Sequence, residues 1–246
     1  VLIKPQHIAI LASVGAVNPE VYQLPSVNIL TTGNELVEPD SIPASGQIRN
    51  SNASQLITQF NDIGIEPHYE GIIKDQEHDV LDVLKKSVEK NAITVLTGGV
   101  SMGDYDFVPD VMETAGIDIL FHKIAIKPGK PTIFGRKGNH VVIGLPGNPV
   151  STFLQFELLI KPMVYKMMGS TFQPGVVKMQ AGDEIRSKKD DRDSWKPVQI
   201  VDGKIYTLKY HGSGHMHALY KANGFICIPA ETEKIEKDTF IDVRQI

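Results

Sequence analysis

The chain reads as a three-layer α/β/α domain on a mainly parallel sheet, followed by a small all-β, barrel-like domain. Three observations predict this. From residue 26 short apolar runs alternate with amphipathic stretches, the pattern of strands and covering helices in a parallel sheet. Beyond about residue 170 the helical periodicity fades and short β-like runs follow, separated by turn residues. The 246 residues, 41% of them hydrophobic, suffice for one larger and one smaller domain, each with a core.

Taken in order, "SVNILTTG", "IEPHYEGII" and "AITVLTGG" read as strands. Between and after them "SNASQLITQFNDIG", "HDVLDVLKKSVEKN" and "VPDVMETAG" read as helices, with Ser51 or Asn52 capping the first and Pro109 in the first turn of the third. After "HVVIGLPGNP" a helix is predicted from about Val150 to Met168, which Pro162 should kink or split. The stretch 169–175, with Pro174, is the predicted boundary between residues 26–170 and 171–246. In the second part "VVKMQAG", "KPVQIV", "KIYTLKY", "GFICIPA" and "TFIDVRQI" read as strands, with Asp202-Gly203 and Asn223-Gly224 as turns.

Charge excludes some functions. Up to residue 170 there are 13 Lys/Arg against 18 Asp/Glu, and after it 12 against 11, so neither part carries a nucleic-acid footprint. Cys227 is the single cysteine, which excludes an internal disulfide and a thiolate metal cluster and points to a reducing compartment, the cytoplasm by default. "VLIKPQHIAILASVGAV", interrupted by Lys4, Pro5, Gln6 and His7, is no membrane span. The missing initial Met suggests a fragment. "SKKDDRDS" reads as an exposed polar linker.

Three apolar runs end in glycine-containing polar loops: "VNIL" in "TTGNE", "ITVL" in "TGGVSMGDYD" and "VVIGL" in "PGNPVS". In a parallel sheet such ends share one edge, where ligands bind. Glu35, Asp104 and Asp106 lie in these loops and Asp75 follows the "GII" strand, an oxygen-rich, sulphur-free set suited to magnesium; Asp104 and Asp106 are the strongest pair. In "HKIAIKPGKPTIFG", Lys123, Lys127 and Lys130 supply the opposite charge, beside glycine amides and a helix start bearing Ser151. Together they form a candidate oxyanion cradle, stiffened by Pro128 and Pro131. His211, His215 and His217 in "HGSGHMH" invite a metal reading, but Gly212 and Gly214 argue against the helix a two-histidine zinc site needs, so they read as an exposed or structural cluster; Trp195 and Cys227 read as core residues of the β domain.

"TTGNEL", "GQIRNSN", "TGGVSMGDYDF", "KIAIKPGKP" and "GLPGNPVS", in this order, resemble the molybdopterin-binding domain of the molybdopterin molybdenumtransferases, the MoeA and gephyrin E-domain family. The resemblance covers residues 26–168; residues 171–246 resemble the family's C-terminal β-barrel, and residues 1–25 the helix and linker ending a preceding domain.

The resemblance implies an enzyme of molybdenum-cofactor synthesis that inserts molybdate into adenylylated molybdopterin and releases AMP, with magnesium required. Carried over by position, Glu35, Asp75 and Asp106 match its functional acids and Lys123 and Lys127 its lysines, the candidate catalytic residues, while Asp104 and Asp106 stay the metal ligands suggested by their own chemistry. Thr32, Gly33, Gly98, Gly99, Ser101, Gly103, Lys130, Pro146, Gly147, Asn148, Ser151 and Ser213 line the substrate site. It also implies a homodimer for the full-length protein and the adenylyltransferase of the same pathway as a candidate partner. The family's two upstream domains are absent, so weak or no turnover is expected of this chain alone. Where the family has an Arg in the segment resembling "RDSWKPV", this chain has Lys196 and Pro197, with Arg192 nearby. The competing readings are the adenylyltransferase itself, usually a single domain, and a gephyrin-like scaffold or dimerisation module.

Overall fold

The computed structural model describes residues 1–99, 107–171, 173–208, 214 and 216–246. A first helix, α1 (Pro5–Ser13), precedes β1 (Val27–Thr32), a short ladder of β2 (Leu36–Val37) with β3 (Ile48–Arg49), and α2 (Ser51–Asp62). There follow β4 (His68–Ile73), α3 (Glu77–Lys90), β5 (Ile93–Thr97), α4 (Val108–Thr114), β6 (Asp118–Phe121), β7 (Ile126–Lys127), β8 (Ile133–Lys137) and β9 (His140–Leu145). The large sheet has the order β4-β1-β5-β9-β8-β6. Four neighbours, β4, β1, β5 and β9, are parallel, whereas β8 runs antiparallel to both β9 and β6. The sheet is therefore mixed, parallel from its β4 edge to β9 and antiparallel at the β8 and β6 end.

Why β1 is a strand follows from its neighbours on both faces. All six of its residues are buried, and consecutive residues face opposite ways. Leu30 joins a core with Leu84, Leu96, Val111 and Met112, under α3 and α4. Ile29 joins another with Leu56, Phe60, Val95 and Phe156, under α2 and the long helix after β9. The rings of Phe60 and Phe156 meet edge to face, 4.9 Å apart at 87°. Asn50, one residue earlier than expected, caps α2 by accepting from the Ala53 amide at 3.2 Å.

The helix after β9 continues past Pro162 but changes register just before it. It runs as α5 (Pro149–Gln155), one π turn (Phe156–Ile160) and α6 (Lys161–Met167). In the π register the Lys161 amide donates to the Phe156 carbonyl, so the next carbonyl, of Glu157, would look to residue 162. That residue is proline and has no N–H. The Arg244 guanidinium donates to the Glu157 carbonyl instead. A proline in the larger sheet's helix thus creates the acceptor by which the last strand of the chain is docked.

That strand belongs to a closed five-stranded barrel of β10 (Val176–Ala181), β12 (Asp193–Val201), β13 (Lys204–Thr207), β14 (Gly224–Ile228) and β16 (Phe240–Gln245). The two remaining strands, β11 (Ile185–Arg186) and β15 (Lys234–Ile235), pair with each other. Asp202 and Gly203, at φ 48° and 75°, form the two-residue turn between β12 and β13. Asn223-Gly224 is not a turn of this kind. The Asn223 side chain accepts from the Ile200 amide at 2.8 Å, and Gly224 starts β14 where a Cβ would lie 2.6 Å from the Arg244 carbonyl. Trp195 and Cys227 are cross-strand partners and only half-buried, not core. Burial pushes the Cys227 thiol up to about 11, which leaves it protonated at neutral pH.

At the edge of the large sheet where β9 begins, a buried polar chain has a fixed direction. His140 Nδ1 faces the Asn91 carbonyl and must carry the proton, so Nε2 accepts from Thr94 Oγ1 at 3.0 Å. Thr94 in turn accepts from Ser87 at 2.6 Å, and Ser87 accepts from Asn28 Nδ2 at 3.0 Å. Burial lowers the pKa of His140 below its ordinary 6.5. Protonation of Nε2 would reverse the chain. The unfolded state takes up this proton more readily, so the stability held above about pH 6.5 should decline as pH falls through that value. Urea midpoints measured from about pH 8 to about pH 5 should show this slope, and His140→Gln should flatten it.

Candidate active site

The chain leaves β1 through α2 to β4 on one side, and returns through α3 to β5 on the other. The direction of winding therefore reverses between β1 and β5, which opens a crevice beyond their carboxyl ends. Thr32 ends β1, and Gly33 and Glu35 follow; Thr97 ends β5, and Gly98 and Gly99 follow. Asp75 comes just after the neighbouring β4. Thr32 Oγ1 donates to Asp75 Oδ1 at 2.8 Å, joining the ends of β1 and β4. The Asp75 amide donates to Asn34 Oδ1 at 3.4 Å. Glu35 Oε2 lies 3.0 Å from where a Cβ of Gly33 would stand, and Asp75 Oδ1 lies 3.7 Å from that of Gly99. Two carboxylates thus flank the two glycine turns.

Gly98 is needed for a steric reason. Its φ is +89°, and a Cβ would fall far inside van der Waals contact distance of the Thr32 carbonyl oxygen. The loops can meet this closely only without a side chain.

Asn52 joins a third loop to this edge, a role the sequence reading missed. Its Nδ2 donates to Thr97 Oγ1 and to the Gly147 carbonyl, both at 2.8 Å. Gly147 belongs to the Pro146, Gly147, Asn148 loop after β9. The signal was in the sequence: Asn52 occupies the stripe of Leu56 and Phe60, a polar residue where α2 faces the core. Within α5, Thr152 Oγ1 donates to the Pro146 carbonyl at 2.7 Å, and Ser151 is 1% exposed. Gly214 of the barrel approaches this loop, a Cβ there lying 3.9 Å from Asn148 Oδ1.

The lysine segment lies along the same edge, because β6 runs parallel to β9 and the chain re-enters through β8. The Ile124 amide donates to the Lys130 carbonyl at 3.0 Å and closes the loop, and the peptide between Lys127 and Pro128 is cis. Gln155 Nε2 donates to the Gly129 carbonyl at 2.7 Å, tying the loop to α5. Lys123 is exposed, and Lys127 and Lys130 are half-buried.

Lys127 is also bound from the barrel. Its strand β7 pairs in parallel with β12, Ile126 opposite Asp193 and Lys127 opposite Ser194. Its Nζ lies 2.8 Å from Asp190 Oδ2. Arg192 grips the same carboxylate through Nε at 2.8 Å and Nη2 at 2.9 Å. The Arg192 guanidinium, then the Lys127 ammonium, hold the Asp190 carboxyl well below the usual range. "SKKDDRDS" is therefore not a free linker: the Asp190 side chain is only 13% exposed. Lys196 donates to the Arg186 carbonyl at 2.5 Å, and burial followed by the charge of Lys127 lowers its pKa.

Of the predicted site residues, Thr32, Gly33, Glu35, Asp75, Gly98 and Gly99 come together at the switch point. Pro146, Gly147, Asn148 and Ser151, with Lys123, Lys127 and Lys130, lie further along the same edge. Ser101, Gly103, Asp104, Asp106 and Ser213, and also His211 and His215, lie outside the described residues. His217 falls in a 3-10 helix (Met216–Lys221).

Residues 28–166 match the family model "Probable molybdopterin binding domain", and residues 178–246 match "MoeA C-terminal region (domain IV)". Proteins named molybdopterin molybdenumtransferase from Staphylococcus aureus and Bacillus subtilis are each 37% identical over 98% of this chain, which spans 59% and 57% of their lengths. The crystal structure of a molybdopterin biosynthesis MoeA protein from Pyrococcus horikoshii matches 99% of this chain and 60% of its own, with a TM-score of 0.85 at 29% identity. The chain thus spans less than two thirds of the relatives it matches. Two domain matches in the right order and a fold shared from end to end lead to one conclusion: the chain belongs to the MoeA family.

Proposed function

We propose that the crevice is the active site of a molybdopterin molybdenumtransferase, which inserts molybdate into adenylylated molybdopterin and releases AMP. The observation that carries this reading is the meeting of two carboxylates and two glycine turns at a switch point, with a lysine loop on the same edge. The glycine turns let the backbone approach a phosphate closely. Molybdate is a tetrahedral dianion and the adenylate linkage a phosphoanhydride, so Lys127 and Lys123 would neutralise charge on ligand and leaving phosphate. Glu35 and Asp75 would orient an attacking oxygen, with Asp75 fixed by the Thr32 hydroxyl.

Magnesium fits the residues present. It takes one or two carboxylates and fills its shell with water and phosphate oxygen. Among the described residues no group of three His, Cys, Asp or Glu could hold an ion, so a closed protein cage is not built there, while Glu35 and Asp75 offer hard oxygens at the crevice. Asp104 and Asp106 are the further ligands proposed from the sequence. When bound, the ion would supply positive charge at the phosphates.

The division at about residue 170, a homodimer of the whole protein, a cytoplasmic location and delivery by a pathway adenylyltransferase belong to the same proposal. Among the described residues no helix is long and apolar enough to cross a membrane. The barrel and its own family match argue against a single-domain adenylyltransferase.

Titration of the purified chain with molybdopterin adenylate tests the reading. Binding that tightens with magnesium is expected, and in the whole protein AMP should appear when molybdate is added. Equal failure to bind with and without magnesium would sink it.

A further inference from the structure

The seat around Asp190 has the form of an anion receptor already holding an anion. Asp190 Oδ2 accepts from Lys127 Nζ at 2.8 Å and from Arg192 Nη2 at 2.9 Å, and Oδ1 from Arg192 Nε at 2.8 Å. A guanidinium fork beside an ammonium recognises a carboxylate and a tetrahedral oxyanion by the same geometry. Among the described residues charge at the seat is not balanced. Lys127, Arg192 and Lys196, which feels the charge of Lys127, stand against Asp190 and the 88% exposed Asp191, 3.5 Å from Arg192 Nε: three cations to two carboxylates. The surplus suits a dianion better than a single carboxylate.

Asp190 is also placed to leave. It lies in the connection between β11 and β12, outside both ladders, whereas Lys127 is held in β7 by its pairing with β12. A change of side-chain rotamer at Asp190 vacates the seat without moving the lysine backbone.

We infer that Asp190 is an internal latch, a carboxylate that occupies the Lys127–Arg192 seat until an incoming oxyanion displaces it. This rests on the proposed reading of Lys127 as a ligand-site residue. A latch lowers apparent affinity in proportion to the time it is closed. It also keeps the two cations from other anions of single charge, which gain less than a dianion by displacing it.

Calorimetric titration with molybdate on the purified chain tests this. Asp190→Asn, which keeps the shape and removes the charge, should bind molybdate about tenfold more tightly than the unaltered chain. Asp190→Ser should do the same and serves if the first variant does not fold; Asp190→Glu should restore the weaker affinity. Lys127→Met should weaken binding in both backgrounds. A merely structural Asp190 predicts the opposite sign, so unchanged or weaker binding in Asp190→Asn and Asp190→Ser, with Lys127→Met still harmful, would overturn the latch alone. No effect of Lys127→Met would overturn the latch together with the reading of the site beneath it.

Discussion

Gly98→Ala should cost about 3 kcal/mol or more of folding stability, far beyond an ordinary surface substitution. The added methyl meets a backbone oxygen, the Thr32 carbonyl, not the end of a side chain that can swing away. Thr32 belongs to β1, whose residues are all buried between two cores, so the strand has no room to yield. The φ of +89° adds strain for any residue with a Cβ. Denaturation in urea would measure the loss. Gly138→Ala is the control: its φ is also positive, at +59°, but a Cβ there meets nothing within 4 Å. Equal losses at the two positions would show that backbone strain, and not the packing of the two loops, makes Gly98 necessary.

Lys127→Met should lower the rate of AMP release in the whole protein by about 100- to 1000-fold, the loss typical of removing one preorganised group that stabilises developing charge. The fold should survive. Methionine keeps much of the stem, and Asp190 retains both bonds from Arg192, so no carboxylate is left unpaired. Lys123→Met should cost much less, because Lys123 is exposed and, among the described residues, no strand or ion pair fixes its position. Thermal midpoints alongside the rates separate a chemical role from a structural one. A fall in stability matching the fall in rate would assign Lys127 to the domain junction alone.

Much of this was legible in sequence for a plain reason. Buried parallel strands are continuous apolar runs, and the loops that follow them carry glycine and acid residues on a bare backbone, so "VNILTTGNE" shows its strand and its site together. What depends on distant partners was not legible. The antiparallel β8 is set by its pairing with β9, not by its own composition. Asn223-Gly224 looks like a turn, yet the glycine is required by the approach of the Arg244 backbone, 20 residues on in sequence but adjacent in the barrel. Asp190 stands in a run of charges, which usually means a solvated surface; only folding brings Lys127, 63 residues away, onto it. Pro162 alone predicts a kink or a split, because its own missing donor is all that the sequence shows, while the Arg244 guanidinium that answers it comes from the last strand of the chain.

The shared strand has a consequence for modularity. Ile126 and Lys127 lie within the sequence of the α/β part yet serve as a stave beside the barrel. A chain cut after residue 170 would keep the whole lysine loop, with Gln155 still gripping Gly129, but would expose the free edge of β7 and take from Lys127 both the β12 edge and the Asp190 carboxylate. The barrel is thus an alignment jig for one ammonium group. Exchanging it for the barrel of a relative is a graft onto the site itself, and should succeed only where the donor brings both the edge of β12 and an acid in register with Asp190.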